Sequence, residues 1–139
     1  MVQTILIVDD EKNIRASLTR ILELEGYRCE PASCLEDARQ ILNRFTPDLA
    51  LLDVGLPDGS GLDLLLEIKD AYPDMPVIVM SGHGTIETAL EAVKRGAHDF
   101  MEKPLSADRI LITLSNALTF EGQRRELATL REQVESRHN

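Results

Sequence analysis

The sequence predicts an α/β protein in which a five-stranded parallel sheet is doubly wound, with helices on both faces. Three observations predict it. Short apolar runs suited to buried strands recur five times, segments with apolar residues at helical spacing follow each of them, and the connections are short. A chain of 139 residues, 43% of them hydrophobic, is enough for one such domain with a modest extension.

The elements follow in order. Thr4 to Val8 (TILIV) is apolar and β-branched, as a strand covered on both faces requires. Ile14, Leu18, Ile21 and Leu22 recur at helical spacing, and Gly26 stops that helix. Tyr27 to Pro31 is a weaker strand. Ser33 with Glu36 forms a predicted capping box, and Leu35, Ala38, Ile41, Leu42 and Phe45 make one helical face behind it, ended before Pro47. Leu49 to Leu52 is the third strand, with Asp53 at its carboxyl end. A turn-rich stretch, Gly55 to Gly61, leads to a helix with Leu62, Leu65, Leu66 and Ile68 on its face, stopped around Pro73. Val77 to Met80 is the fourth strand. Thr85 caps a helix whose face is Ile86, Ala89, Leu90 and Val93, and Gly96 closes it. Ala97 to Met101 is the fifth strand, the least evident by periodicity, and Ser106 opens the last helical stretch.

Charge and composition narrow the function. The net charge is −9, and residues 121–139 hold four acidic and four basic side chains, so the whole excess lies in residues 1–120. So acidic a domain is repelled by phosphate backbones, which argues against direct nucleic-acid binding by this chain. No apolar run approaches the roughly 20 residues that cross a bilayer, and the first residues lack the features of a secretory signal, so a cytoplasmic protein without membrane contact is expected. Cys29 and Cys34 have neither the spacing nor the context of a disulfide or a zinc site and read as small, semi-buried thiols.

In a parallel sheet of this kind, ligands bind at the carboxyl ends of the strands, near a switch in strand order. The first polar residues at those ends are Asp9, Asp10 and Glu11 after strand one, Asp53 after strand three, Ser81 after strand four, and Lys103 shortly after strand five, beyond Phe100. Each has an ordinary alternative, since a DD pair caps helices, Ser81 before Gly82 suits a turn, and Lys103 before Pro104 suits a solvated loop. Carboxylates converging on one rim repel unless a positive charge sits among them, and a hard divalent cation, Mg2+ or Mn2+, suits an oxygen-rich site. Asp10 and Asp53 are the leading ligands, with Asp9 acting directly or through water and the backbone carbonyl of Gly55 as a further ligand. A carboxylate can itself accept a phosphoryl group as an acyl phosphate. Asp53 would be that acceptor, the metal and Lys103 would neutralise charge on the transferring oxygens, and Ser81 would donate a hydroxyl. His83 is a candidate acid–base residue beside the site, or a solvent-facing loop histidine.

Ile7-Val8-Asp9-Asp10-Glu11, Leu51-Leu52-Asp53 with Leu56-Pro57-Asp58-Gly59-Ser60-Gly61, Ser81-Gly82-His83-Gly84 and Lys103-Pro104 resemble the signature blocks of receiver domains, the response-regulator halves of two-component systems. The resemblance covers roughly residues 3–120. It implies a flavodoxin-like fold, phosphotransfer from a sensor histidine kinase to Asp53, magnesium at Asp9, Asp10 and Asp53, and a cis Lys103–Pro104 peptide. It further implies that Ser81 moves toward the phosphoryl group and that Phe100 follows, remodelling the face made by the fourth helix, fifth strand and fifth helix. Three positions depart from the commonest pattern. Ser81 stands where threonine is more frequent, Phe100 where tyrosine is common, and Gly55 leaves bare a position where longer side chains often tune phosphoryl lifetime.

Residues 1–120 are thus expected to form the receiver domain and 121–139 a helical linker toward an effector domain that this chain does not contain. Phe120, Leu127 and Val134 are seven apart, as are Gln123 and Leu130, a short heptad-like seam that suits a homodimer joined through this helix and the switching face. Gly122 interrupts it at a cost of about 1 kcal/mol. The Ser81–Thr85 block and the extension resemble receivers of NtrC-type regulators, which control AAA+ activators of sigma-54 transcription. Among rivals, a phosphatase of the haloacid dehalogenase class also uses an aspartyl nucleophile, but needs an aspartate two positions later, where this chain has Gly55. A flavin binder shares the architecture, but two Tyr and no Trp are few for ring stacking. A phosphate-independent pseudo-receiver is disfavoured by the complete set Asp9, Asp10, Asp53, Ser81 and Lys103.

Overall fold

The computed structural model describes residues 2–120. Five parallel strands, β1 (Thr4–Val8), β2 (Arg28–Ala32), β3 (Leu49–Asp53), β4 (Val77–Ser81) and β5 (Asp99–Glu102), form one sheet in the order β2-β1-β3-β4-β5. Between them run α1 (Lys12–Leu24), α2 (Leu35–Arg44), α3 (Gly61–Ala71) and α4 (Ile86–Lys94), and a fifth helix, α5, covers 107–120 of the described residues. Strand order reverses between β1 and β3, which places the switch point of the doubly wound sheet between the ends of those two strands. No helix among the described residues is long and apolar enough to cross a membrane.

The period of two along each strand divides the core between the two faces. Leu6, Val8, Ala50, Leu52, Val77 and Val79 face α2, α3 and α4 and meet Leu35, Ala38, Ile41, Leu64, Leu65, Ile68 and Ala92. Ile5, Ile7, Leu49, Leu51, Ile78 and Met80 face α1 and α5 and meet Leu18, Leu22, Ile110, Leu114 and Ala117. Because β1, β3 and β4 are buried on both faces, they are apolar except at their ends, where Thr4, Asp53 and Ser81 stand, which is why they stand out in the sequence. β2 and β5 lie at the sheet margins, carry polar residues, and begin one and two residues later than the sequence pattern places them.

Three local expectations are corrected. The Ser33–Glu36 capping box does not form: the helix starts at Leu35, so Cys34 is the N-cap, with its Sγ accepting from the Asp37 N–H at 3.5 Å. Ser33 is one residue too early, and its hydroxyl instead donates to Asp37 Oδ2 at 2.9 Å. On α3, Leu64 rather than Leu66 joins Leu65 and Ile68 in the core, and Leu66 is exposed. On α4, Ile86, Leu90 and Val93 point outward, because the helix sits beside marginal β5 and only its Ala92 side meets the core. The Thr85 cap forms as predicted, with Oγ1 accepting from the Thr88 N–H at 3.1 Å, and the Ser106 hydroxyl accepts from the Arg109 N–H at 3.2 Å. Cys29 and Cys34 are half-buried free thiols. The heptad-like seam, apart from Phe120, lies outside the described residues.

Candidate functional site

Register brings the acidic residues together. Val8 pairs with Leu52 across β1 and β3, so the next residue on each strand, Asp9 and Asp53, emerges side by side at the switch point. Asp53 in turn pairs with Met80, which places Ser81 one step further on the neighbouring strand, and the Lys103 N–H donates to the Ser81 carbonyl at 2.9 Å. The Lys103–Pro104 peptide is cis, as the resemblance implies.

Lys103 reaches back across the strand ends. Its Nζ lies 2.7 Å from Asp9 Oδ2 and 3.1 Å from Asp53 Oδ2, and Glu11 Oε1 stands further off at 3.9 Å. Asp9 is fully buried, and Asp53 and Ser81 are 5% and 7% exposed, whereas Asp10 and Glu11 face solvent. Asp9 Oδ1 accepts from the Glu11 N–H at 2.9 Å. Its Oδ2, for all its closeness to the ammonium, receives no well-directed hydrogen bond.

The electrostatics follow from this crowding. Burial raises the pKa of Asp53 above the usual carboxylate value and the nearby Asp9 charge adds to that, while Lys103 and the Gly55 N–H work the other way and are outweighed. For Lys103 burial alone would lower the pKa, but its contacts with Asp9 and Asp53 prevail and hold the ammonium above its ordinary value. One ammonium thus serves a group of carboxylates.

Oxygens of Asp9, Asp10 and Asp53 lie within 4.8 Å of one another. Three carboxylates, one carrying an oxygen without a directed partner, form a donor set that fits a hard divalent cation. The remaining predicted residues are placed less directly. The Ser81 hydroxyl accepts from the His83 N–H at 3.2 Å, within its own loop. Phe100 is half-buried, packed on the α2–α4 side of the core and so close to Gly84 that a Cβ there would lie 2.8 Å from its ring. Gly55 is exposed, in a small antiparallel hairpin formed by Gly55–Leu56 and Gly59–Ser60. His83 is exposed, which favours the loop histidine over the acid–base role.

Three contributors escape the sequence pattern. Arg15, one turn into α1, donates to the Asp9 carbonyl at 2.6 Å. Gly61 starts α3 hard against the end of β3: a Cβ there would stand 1.9 Å from the Asp53 carbonyl oxygen, and its N–H donates to the Val54 carbonyl at 2.9 Å. Asp58, at the hairpin tip, accepts from two α2 amides. Only the glycine could have been suspected, from its place between a turn-rich stretch and a helix.

A carboxylate group at the switch point of a doubly wound sheet, with a lysine on a cis-proline turn opposite, defines a receiver-type site. Residues 5–115 match the family model of the response regulator receiver domain, and the chain belongs to that family. It is 43% identical over 134 residues to the nitrogen assimilation regulatory protein NtrX of Azorhizobium caulinodans, an alignment spanning 95% of this chain and 30% of that protein. The crystal structure of NtrX from Brucella abortus superposes with a TM-score of 0.90 at 42% identity, over 96% of this chain and 30% of that one. The beryllofluoride-activated NtrC4 receiver domain dimer, solved in solution, superposes with a TM-score of 0.82 at 42% identity, over 85% of this chain and 98% of that one. The chain therefore spans about 30% of the length of the NtrX proteins it matches.

Proposed function

We propose that this receiver domain takes a phosphoryl group from a sensor histidine kinase onto Asp53, with magnesium or manganese held by Asp9, Asp10, Asp53 and the Gly55 carbonyl. The observation that carries the reading is the placement of Lys103 Nζ at 2.7 Å from Asp9 and 3.1 Å from Asp53. An Asp53 carboxylate oxygen attacks phosphorus, the P–N bond to the kinase imidazole breaks, and the imidazole leaves with the electron pair, so a P–O bond replaces a P–N bond. When bound, the cation supplies positive charge to the oxygens in transfer. Lys103 stays protonated and adds a second charge that needs no reorganisation, since Asp9 and Asp53 already orient it. Asp53 acts as the carboxylate, and its raised pKa reflects first its burial and then the neighbouring Asp9 charge.

Signal then leaves by the other side of the rim. Ser81 releases the His83 amide and turns its hydroxyl to the phosphoryl oxygens, and Phe100 moves off Gly84 into the space behind it. That rearrangement alters the α4–β5–α5 face, where Ile86, Leu90 and Val93 form an exposed apolar stripe. We assign this face to a homodimer because its apolar stripe is exposed, and that the activated NtrC4 receiver domain is a dimer supports self-association; residues 121–139 would link to an effector. The likeness to NtrX supports an effector of the AAA+ sigma-54-dependent type. The domain is regulatory, and its chemistry is limited to its own phosphorylation and dephosphorylation.

Incubation with acetyl phosphate and Mg2+ followed by intact-mass measurement tests the reading. One phosphoryl group is expected on the wild type and none on Asp53→Asn. A wild-type chain that gains no mass would favour the phosphate-independent module.

A further inference from the structure

The hairpin that carries Gly55 has few anchors of its own. Gly55 has no side chain, and the space where one would lie is open to 4 Å. Leu56 is buried in the core beneath the hairpin, and Asp58 ties the tip sideways to α2. From the tip, Asp58 Oδ1 accepts from the Leu35 N–H at 2.9 Å and Oδ2 from the Glu36 N–H at 3.1 Å, so both carboxylate oxygens are committed to the start of α2. These amides are among the donors that no helix can satisfy internally. The helix's own cap, Cys34, offers only a weak sulfur acceptor, which is directed to Asp37. Gly59, with φ +150°, allows the close fit, because a Cβ on it would lie 2.7 Å from Leu35 Cδ1. A charged acceptor on two amides at a positive helix end is a strong contact for an exposed residue.

We infer that Asp58 is a positioning residue for phosphoryl transfer: by clamping the hairpin to the N-terminus of α2, it holds the Gly55 peptide groups against the Asp53 carboxylate and its cation. The inference rests on the proposed phosphoacceptor reading and adds a residue to it. The clamp acts through backbone, since Asp58 itself faces solvent at the tip, while Gly55 stands at the base of the same hairpin, two residues after Asp53. Removing it frees the whole hairpin, Gly55 to Ser60, from the start of α2 and leaves the carboxylates of Asp9, Asp10 and Asp53 in place. The loss therefore falls on cation affinity and transfer rate in addition to the stability that the cap gives α2.

Mn2+ titration followed by electron paramagnetic resonance, together with phosphorylation by acetyl phosphate across a Mg2+ series, tests this on the whole chain. Asp58→Ala is expected to weaken Mn2+ binding and raise the Mg2+ needed for half-maximal rate by about tenfold, the scale of lost outer contacts at metal sites. Asp58→Asn keeps one carbonyl for one amide and should recover part of the loss. Ile41→Val, which loosens the packing of the same helix, should lower Tm and leave both metal readouts unchanged. If Asp58→Ala lowers Tm alone, or Asn recovers nothing, or Ile41→Val reproduces the metal loss, the clamp is only a helix cap and the inference falls. A wild type that neither binds Mn2+ nor gains a phosphoryl group overturns the phosphoacceptor reading as well, a distinguishable result.

Discussion

Helices α3 and α4 lie on the same face of one sheet, yet they are held very differently. α3 buries Gly61, Leu64, Leu65 and Ile68, starts against the acceptor strand, and has its end fastened by Lys69, whose Nζ donates to the carbonyls of Pro73 and Met75 at 2.7 and 2.9 Å. α4 buries Ala92 alone and turns three large apolar side chains outward. It is tied at its ends by the Thr85 cap and by Arg95, which pairs with Glu91 at 2.7 Å and, more loosely, with Asp63 of α3 at 3.5 Å. Exposed pairs of that kind contribute little. The difference separates two duties. The helix behind Asp53, the proposed acceptor, is the anchored one, and the helix beside Ser81 and Phe100, the proposed switch residues, has few buried contacts to hold it in place. Regions with few buried contacts are those that open or move most readily.

The strongest test of the anchored side is Gly61→Ala. A methyl cannot stand 1.9 Å from the Asp53 carbonyl oxygen, and that neighbour is backbone, so strand or helix must move. Overpacking against rigid atoms should cost about 3 kcal/mol or more, read by urea unfolding followed by circular dichroism. A loss under about 1 kcal/mol would mean that the junction yields and that α3 does not fix the acceptor. Next in size is a matched pair of leucines. Leu65→Ala, fully buried on α3, should lose about 3 kcal/mol, whereas Leu90→Ala, 55% exposed on α4, should lose under about 0.5 kcal/mol. Leu90→Ala should instead weaken self-association of the phosphorylated chain in sedimentation. Equal stability losses at the two positions would erase the contrast.

The sequence shows most clearly what is buried on both sides. β1, β3 and β4 are apolar up to their carboxyl ends, and because those ends lie on one rim, Asp9, Asp53 and Ser81 could be gathered from the sequence. Lys103 was within reach of the same reasoning because β5 ends just before it. Facing was harder. α4 has a regular apolar stripe at 86, 90 and 93, and periodicity shows that such a stripe is shared, not which way it points; here it points away from the core. The contact of Arg15 with the Asp9 carbonyl and the reach of Asp58 to α2 were hidden for another reason. Each depends on a side chain bridging to backbone of another element, and backbone leaves no trace in composition. The Ser33–Glu36 motif misled because a hairpin 22 residues away supplies the acceptor that a local capping box would have provided.

The smallest expected effect sharpens the same comparison by pH. Hydrogen bonds from the Leu35 and Glu36 amides lower the pKa of Asp58 below the usual carboxylate value of 3.8, so the folded state favours the ionised form. Its stabilising contribution is therefore present above pH 3.8 and is lost as pH falls through the lowered folded-state value. The start of α2 should loosen in that acid window, while the start of α4, capped by the Thr85 hydroxyl, carries no titrating acceptor. Hydrogen exchange, corrected for intrinsic rates, should show protection at Leu35 and Glu36 falling with acid relative to Thr88, and Asp58→Asn should flatten that difference. Parallel loss at all three amides would indicate global acid unfolding, and the carboxylate at the hairpin tip would then have no separate part in holding α2.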